Sequence, residues 1–313
     1  MSGPIRVFAP ASIGNFAAGF DLLGAALAPL DGTLLGDIVS LEPAAQDSFR
    51  MVGPCAPLLA GETRPNLVVR AWDLFRERAG AIGHWAVTLE KRLPVNSGLG
   101  SSASSVVATL AALQAACGSP LDGMELLELA GRGEGAYSGA ELLDNVAPSL
   151  LGGLRLLVPG RDGRASAREL PWPRELVLVV VHPEWELPTA RGREVLPAAV
   201  PLADAVAFAG NLAALVHALH SGDRALLARS LRDPLVEPYR APLVPGFARA
   251  KAQALAAGAL GFSLSGSGPS VFGVAEEAKG PAVAEAIRDA FQAAGLSCRS
   301  WVCGLDAAGA RTL

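Results

Sequence analysis

Residues 94–105 read PVNSGLGSSASS, and this stretch decides the fold because of what stands on either side of it. The preceding segment AVTLE, residues 86–90, predicts a strand, and the strongly apolar residues 106–117 predict a helix. Glycine lets the backbone turn tightly and approach a ligand closely. The free N–H groups at a helix start favour an anion. A glycine-rich loop between a strand and a helix therefore predicts a phosphate-binding site.

Three other interpretations of this loop are weaker. Flexible linkers are rich in Gly and Ser, but they are seldom held between a strand and an apolar helix. A nucleophilic serine elbow needs the pattern G-x-S-x-G, whereas Leu99, Gly100 and Ser101 follow Gly98. A Walker A loop needs Gly-Lys followed by Ser or Thr, which does not occur in the sequence. A phosphate cradle built from backbone N–H groups remains the best interpretation.

Two further glycine-rich segments accompany this loop: residues 9–21, APASIGNFAAGFD, and residues 263–270, SLSGSGPS. In this order and at these separations, the three segments resemble the three motifs of the GHMP kinases, a family named after galacto-, homoserine, mevalonate and phosphomevalonate kinases. The segments DNVAP (residues 144–148) and EPYR (residues 237–240) extend the resemblance over essentially the whole chain. The first motif, with Asn15 six residues before Asp21, is similar to the form found in members that phosphorylate homoserine.

The predicted strands and helices mix along the chain, which is typical of an α+β or α/β protein. The resemblance implies an α+β, two-domain GHMP kinase fold, with a ribosomal protein S5 domain 2-like N-terminal domain and a ferredoxin-like C-terminal domain. We expect an N-terminal nucleotide-binding domain at residues 1–165 and a C-terminal kinase domain at residues 166–313. The polar, proline-bearing residues 161–174 are the predicted connection. Residues 175–182, ELVLVVVH, predict a strand buried on both faces.

The resemblance implies ATP and Mg²⁺ as cofactors. The candidate ATP contacts in the loop are Pro94, Val95, Asn96, Ser97, Gly98, Leu99, Gly100, Ser101, Ser102, Ala103 and Ser104. Asn66 matches a family position at the adenine and Lys91 one near the ribose or the phosphates. Asn66 follows Pro65 and would serve equally well as a helix N-cap.

The candidate metal ligands are Ser102 and Glu134. Hard oxygen donors suit Mg²⁺, which keeps several waters and takes few protein ligands. Taken alone, Glu134 in the segment GRGEG would be interpreted as a solvated charge at a helix end. The family match favours the metal-binding role.

The family positions also imply an amino-acid acceptor, L-homoserine, and the product O-phospho-L-homoserine of threonine biosynthesis. Asp21 is suited to the ammonium group. Arg193 and Arg240 are suited to the carboxylate, because a guanidinium fork matches its geometry. The remaining candidates are Asn15 and Asn145 for the hydroxyl group, Thr189 near the site, and Arg191 as an alternative to Arg193.

Asn145, with Ser102 and Glu134, is predicted to be catalytic. Mevalonate-type relatives use an Asp as base in the comparable role, and Asn cannot take a proton at neutral pH. A loose transition state needs little help from a base, so we expect direct attack of the acceptor hydroxyl on the γ-phosphate. Asp144 is expected to point elsewhere. Leu142 stands where some relatives carry a His. Whatever role that His has in them is not filled here, and the edge of the acceptor pocket is therefore not assigned.

Composition excludes several classes of protein. The chain has 313 residues, of which 51% are hydrophobic and 18% are charged, and its net charge is -4. This argues against disorder and, without a basic patch, against nucleic-acid binding. The four scattered cysteines and the absence of a signal peptide or a long apolar run predict a soluble cytoplasmic protein, not bound to a membrane. The four histidines are expected to be structural or at the surface.

The resemblance further implies a homodimer with a small-molecule substrate. Two alternatives stay open. One is another GHMP kinase, acting on mevalonate or a diphosphocytidyl polyol. The other is a catalytically silent nucleotide-binding protein on the same fold, because fold does not fix function.

Overall fold

The computed structural model describes residues 3–60, 66–80, 82–138, 142–160 and 165–313. Its strands are β1 (Ile5–Pro10), β2 (Ser12–Phe16), β3 (Gly19–Pro29), β4 (Gly36–Pro43), β5 (Ser48–Val52), β6 (Trp85–Glu90), β7 (Leu154–Pro159), β8 (Ala165–Leu170), β9 (Leu176–Pro183), β10 (Gly261–Leu264), β11 (Val271–Glu276), β12 (Cys298–Leu305) and β13 (Arg311–Thr312). Its α-helices are α1 (Leu67–Ala79), α2 (Ser101–Ala116), α3 (Gly123–Ser138), α4 (Leu143–Leu151), α5 (Thr189–Glu194), α6 (Leu202–Ser221), α7 (Arg224–Ser230), α8 (Glu237–Arg240), α9 (Phe247–Ala256) and α10 (Gly280–Gln292). Short 3-10 helices cover Ala56–Leu59, Ala241–Leu243 and Glu277–Lys279.

The first sheet has five strands in the order β13-β1-β4-β6-β5. Helix α2 packs on β1 and β4, and α1 and α3 pack on α2. Their buried aliphatic side chains form one core, which includes Val39 and Leu89 from the sheet and Val106 and Leu110 from α2. The apolar character of α2 is thus explained, because the helix lies between a sheet and two other helices.

The second sheet runs β10-β11-β9-β12-β3-β7-β8, and β2 pairs with β3 beside this path. All eight residues of β9 are buried, which confirms the predicted strand with two covered faces. Val177, Val179 and Val181 join the core formed with α9 and α10. Leu178 and Val180 face the opposite core. A strand covered on both sides needs no polar alternation.

Strands from both halves of the chain share this second sheet, since β3 pairs with β12 and with β7. The predicted domain boundary at residue 165 stays a prediction. Part of the predicted connection, residues 161–164, lies outside the described residues. Residues 165–170 form β8 and pair with β7, so this part of the connection is a strand instead of an irregular segment.

The sequence predicted no strand within the glycine-rich residues 11–36, and here the structure differs most from expectation. They contain the paired strands β2 and β3, and three non-glycine residues there, Asn15, Ala17 and Asp21, have positive φ angles. Helix α2 begins at Ser101, five residues before the predicted start, so the serines of the loop form its first turn. Both differences lie in segments rich in small residues, where the hydrophobic pattern that distinguishes strands from helices is weak.

One helix of the described residues, α6, is long and apolar enough by length and composition to cross a membrane. Only 17% of its apolar window is buried in the protein. Leu202 and Val206, near its start, are 80% and 63% exposed.

Candidate active site

The loop before α2 owes its shape to Gly98 and Gly100, which have φ angles of +77° and +64°. A Cβ atom on Gly98 would lie 2.3 Å from the carbonyl oxygen of Ser265, and one on Gly100 would lie 2.1 Å from Ser12 Oγ. Both positions therefore need glycine for conformation and for space. Helix α2 begins directly after Gly100, so the loop lies at the end of the helix where backbone N–H groups have no partner within the helix.

The three glycine-rich segments are joined into one site by hydrogen bonds between them. These bonds are Ser265 Oγ to Gly98 O (2.6 Å), Ser270 N to Ser97 O (3.1 Å), Gly266 N to Gly14 O (2.9 Å) and Ser12 N to Leu99 O (3.1 Å). Segments that are far apart in the sequence thus form a single, mutually supported surface.

Ser102 and Glu134 come together at the start of α2, where Ser102 Oγ donates a hydrogen bond to Glu134 Oε1 at 3.0 Å. Both side chains are partly exposed. The described residues contain no group of three or more His, Cys, Asp or Glu side chains that would hold a metal by themselves. A hydroxyl and one carboxylate beside a phosphate loop nevertheless fit Mg²⁺, which takes one or two protein ligands and completes its shell with water and phosphate.

Lys91 is buried beside the first residue of α2, and its exposed fraction is only 2%. Its ammonium group donates to Asp37 Oδ2 (2.5 Å), to the carbonyl oxygen of Ser101 (2.8 Å) and to Ser105 Oγ (2.9 Å). Asp37 also accepts hydrogen bonds from the backbone N–H groups of residues 92 and 93. In this structure Lys91 therefore supports the start of α2 from the protein interior.

Asn66 precedes α1 and caps it, because its Oδ1 accepts a hydrogen bond from Val68 N at 2.9 Å. The capping role, one of the two that the sequence allowed, is thus present. The amide nitrogen of the same side chain keeps its two donors for a ligand.

The acceptor candidates cluster around the turn between β2 and β3. Asn15 and Asp21 both have left-handed backbone conformations, with φ angles of +54° and +56°. Asn15 Oδ1 accepts from Asp21 N at 2.9 Å, and Arg193 Nη2 donates to Asp21 Oδ1 at 2.8 Å. Arg191 instead pairs with Glu194 on the surface, where both side chains are about 60% exposed. The structure therefore brings Arg193, and not Arg191, to this cluster.

Arg240 is 2% exposed and held by backbone carbonyl groups. Its Nε donates to Gly192 O at 2.8 Å and its Nη1 to Gly266 O at 3.2 Å. Burial, together with the nearby Arg193, lowers the pKa of Arg240 to about 10, so it stays charged at neutral pH. Arg193 Nε is buried without a hydrogen-bond partner among the described residues. Two guanidinium groups with spare donors thus lie together.

Asn145 and Asp144 lie at the start of α4. Ser12 Oγ donates to Asn145 Oδ1 at 2.9 Å, and Asp144 Oδ2 accepts from Asn15 N at 2.8 Å. Burial, reinforced by the charge of Asp21, raises the pKa of Asp144 to about 6. Asp144 therefore does not point away from the acceptor cluster, as the sequence suggested, but lies behind it.

Two peripheral candidates are less engaged. Thr189 is exposed at the first residue of α5, the helix that carries Arg193. Leu142 is the N-cap residue of α4, and its side chain makes no capping hydrogen bond. A histidine at this position would stand two residues before Asp144 in the sequence, whereas leucine adds only apolar surface.

Sequence reasoning missed Phe20. Its ring centroid lies 5.6 Å from the guanidinium carbon of Arg193 and 5.1 Å from that of Arg240. Its position between Gly19 and Asp21 in the first glycine-rich segment was the available signal.

Comparisons with known proteins agree with this architecture. A sequence model of the GHMP kinases N terminal domain matches residues 66–153, and one of the GHMP kinases C terminal domain matches residues 215–293. The crystal structure of homoserine kinase from Cytophaga hutchinsonii is 35% identical, with a TM-score of 0.92, and the match covers 100% of this chain and 98% of that chain.

Two other solved structures are similar at lower identity. A 4-(cytidine 5'-diphospho)-2C-methyl-D-erythritol kinase is 26% identical, with a TM-score of 0.60, over 96% of this chain and 99% of that chain. The L. major mevalonate kinase in complex with R-mevalonate is 18% identical, with a TM-score of 0.70, over 98% of both chains, and shows the shared fold alone. These matches confirm the α+β, two-domain fold. The chain therefore belongs to the GHMP kinase family, and membership implies an ATP-dependent kinase that acts on a small molecule.

Proposed function

We propose that this protein is a homoserine kinase, which transfers the γ-phosphoryl group of ATP to the side-chain hydroxyl of L-homoserine. The observation that carries this proposal is the clustering of Asp21, Arg193 and Arg240 beside the amide of Asn145 and the glycine-rich loop. The similarity to the Cytophaga hutchinsonii homoserine kinase over the full chain supports it.

An amino-acid acceptor needs both signs of charge in its pocket. The two guanidinium groups would bind the α-carboxylate, and the unsatisfied Arg193 Nε supports this role because a buried donor without a partner is costly. Asp21 would bind the α-ammonium group. A carboxylate accepts several hydrogen bonds at once, so its pairing with Arg193 leaves capacity for the ligand.

The hydroxyl group of the acceptor would lie next to the side-chain amide of Asn145. Asn15, in the turn between β2 and β3, would be the second contact of this hydroxyl. Asn145 Oδ1 accepts from Ser12, and Nδ2 donates one of its two hydrogens to Asp144 Oδ1 at 3.5 Å, so the second N–H of Nδ2 is left to orient the acceptor oxygen. Gly100 lies against the same amide: a Cβ there would be 2.9 Å from Asn145 Oδ1. This proximity supports direct attack on the γ-phosphate, with positioning in place of a dedicated base.

Asp144 is a carboxylate next to this amide, since its Oδ1 accepts from Asn145 Nδ2 at 3.5 Å, and it could be considered as a base. It is 2% exposed, and one of its oxygens is occupied by the N–H group of Asn15. We therefore assign it to holding the β2–β3 turn, with proton release to solvent after phosphoryl transfer. Thr189, at the exposed start of α5, is kept as a peripheral substrate contact.

ATP would bind with its phosphates on the loop, residues 94–104, where the N–H groups at the start of α2 favour an anion. Mg²⁺, held by Ser102 and Glu134, would neutralise charge on the phosphates. The amide of Asn66 would contact the adenine while it caps α1. Lys91 would act through the loop that it supports, because its donors are directed at protein acceptors.

To test this, the purified protein is incubated with Mg-ATP and one acceptor at a time: L-homoserine, mevalonate or 4-(cytidine 5'-diphospho)-2C-methyl-D-erythritol. The rate of ADP release is measured for each acceptor. We expect turnover with L-homoserine at least about 100-fold above the other two, since both lack the α-ammonium group that a pocket with charges of both signs would bind beside the carboxylate. Turnover of another acceptor would identify a different GHMP kinase, and no turnover with any acceptor would favour a silent nucleotide-binding protein.

Variants sharpen this assay. Arg193→Ala is expected to raise the KM for L-homoserine by about 100-fold or more, because it removes one side of the carboxylate clamp. Arg191→Ala, two residues away on the surface, is the matched control and should leave the KM unchanged. Equal effects of the two substitutions would contradict the assignment of Arg193.

We further propose that the protein works as a homodimer in the cytoplasm, in threonine biosynthesis. The exposed apolar side chains at the start of α6 support self-association, because contiguous apolar surface of this kind commonly marks an interface.

A further inference from the structure

We propose that Phe20 is a positioning residue for the carboxylate of the acceptor: its ring holds the guanidinium groups of Arg193 and Arg240 together, so that both face one anion. This inference rests on the proposed function and adds a residue to which no role in the site has been given.

The geometry places the ring in contact with both cations. The guanidinium carbons lie 5.6 Å and 5.1 Å from the ring centroid, within the range of cation–π attraction. The ring is partly buried, so this attraction is less screened by water than at an exposed site. Phe20 is thus the shared neighbour of the two groups.

Two guanidinium groups this close together need a compensating group between them. Arg193 and Arg240 are close enough to repel each other: burial is the main cause of the lowered pKa of Arg240, and this repulsion adds to it. Asp21 compensates Arg193 directly, and the contacts of Arg240 go to backbone carbonyl groups. The electron-rich face of an aromatic ring attracts both cations without forming a salt bridge that would compete with a ligand.

The backbone fixes where the ring lies. Phe20 is flanked by Gly19, where a Cβ would come within 2.3 Å of the Leu23 side chain, and by Asp21, whose φ angle is +56°. The same turn therefore presents the ring to the two cations and the Asp21 carboxylate to Arg193. A bulky apolar side chain at this position would fill the space but would not attract the guanidinium groups.

The experiment compares wild type with Phe20→Leu and Phe20→Tyr, using L-homoserine and L-homoserinol, in which the carboxylate is reduced to an alcohol. For Phe20→Leu we expect the KM for L-homoserine to rise about tenfold, which corresponds to about 1.4 kcal/mol. The kcat and the KM for ATP should stay within about twofold, because the ring acts on acceptor binding alone. The KM for L-homoserinol should change by less than about threefold, and Phe20→Tyr should restore L-homoserine binding, because both follow from a cation–π contact.

Phe8→Leu is the matched control, because the ring of Phe8 lies 4.8 Å from the guanidinium carbon of Arg311, outside the site. A rise in KM that is equal for both acceptors, a matching effect of Phe8→Leu, or no rescue by Phe20→Tyr would each overturn the inference and leave the proposed function intact. A wild-type protein that phosphorylates neither acceptor would instead overturn the proposed function, and this inference with it.

Discussion

The ammonium group of Lys91 donates three hydrogen bonds inside the protein, and its salt bridge to Asp37 is almost fully buried. Removing one partner of a buried pair leaves an uncompensated charge, which costs much more than the pair itself contributes. The position therefore has a strong structural reason to be a lysine, independent of any contact with a nucleotide.

We predict that Lys91→Met lowers the free energy of unfolding by about 3–5 kcal/mol, because Asp37 is left buried and unpaired. Urea unfolding would measure this loss, and the KM for ATP would be measured on the folded protein. Lys279→Met is the control: its pair with Glu276 is about half exposed and should contribute less than about 1 kcal/mol. A stable Lys91→Met variant with a raised KM for ATP would favour the direct nucleotide contact suggested by the sequence.

The raised pKa of Asp144 predicts that the free energy of unfolding depends on pH. Burial and the charge of Asp21 raise its pKa from 3.8 to about 6 in the folded protein, so folding favours the protonated form. This contribution to stability is fully present below about pH 4 and is lost as the pH rises through 6.

The variant Asp144→Asn keeps an acceptor for the N–H group of Asn15 and cannot ionise. We expect its free energy of unfolding, relative to wild type, to rise by on the order of 3 kcal/mol between pH 4 and pH 7. Urea unfolding at several pH values would measure the difference. A difference that does not change with pH would mean that Asp144 ionises as an ordinary carboxyl group does.

At the level of the element, the loop before α2 depends on close packing between segments. Gly98 is pressed against the carbonyl groups of Ser265 and Gly268. Gly118 has a similar φ angle of +73°, but a Cβ atom added there would meet nothing within 4 Å. The two glycines thus separate the effect of crowding from the effect of backbone conformation.

We predict that Gly98→Ala destabilises the protein by more than about 3 kcal/mol and raises the KM for ATP, since the third glycine-rich segment must move away. Gly118→Ala should cost only about 1–2 kcal/mol, which is the strain of the left-handed conformation, and leave the KM for ATP unchanged. Thermal unfolding and steady-state kinetics would measure both effects. Similar losses in the two variants would show that conformation alone matters at Gly98.

The sequence predicted elements well where hydrophobic patterning is strong, as in β9, and poorly where side chains are small. The hairpin of β2 and β3 was hidden because its segment is rich in Gly and Ala, which carry little strand signal. Helix α4 was missed because Pro148 interrupts its pattern.

Site residues followed the same division. The resemblance to the GHMP kinases implied the polar and charged residues, and the structure brings Asp21, Arg193 and Asn145 close together. The sequence could not decide between Arg191 and Arg193, because the choice depends on which face of α5 packs against the turn between β2 and β3. Nor could it identify Phe20 or the orientation of Asp144, because these depend on contacts between elements that are distant in the sequence.

On the scale of the whole molecule, the start of α6 is the most exposed apolar surface among the described residues. Leu202 and Val206 lie one helical turn apart and share a face. A second copy packed against this face would remove both side chains from water, which favours association.

We predict that Leu202→Glu combined with Val206→Glu shifts a dimer to a monomer at micromolar concentration, because the two charges would be buried unpaired. Light scattering coupled to size-exclusion chromatography would measure the molar mass. Leu58→Glu is the control, since Leu58 is 60% exposed on a 3-10 helix elsewhere. A double variant that stays dimeric would place the interface on another surface.

The position of β3 has a consequence for how the chain is made. On the ribosome, β3 emerges long before β12, the strand that pairs with its residues 27–29. Until then, one edge of a growing sheet lacks its neighbour, and such edges recruit other chains. We therefore expect nascent chains stalled before residue 298 to depend on chaperones, while release of β12 lets the sheet close.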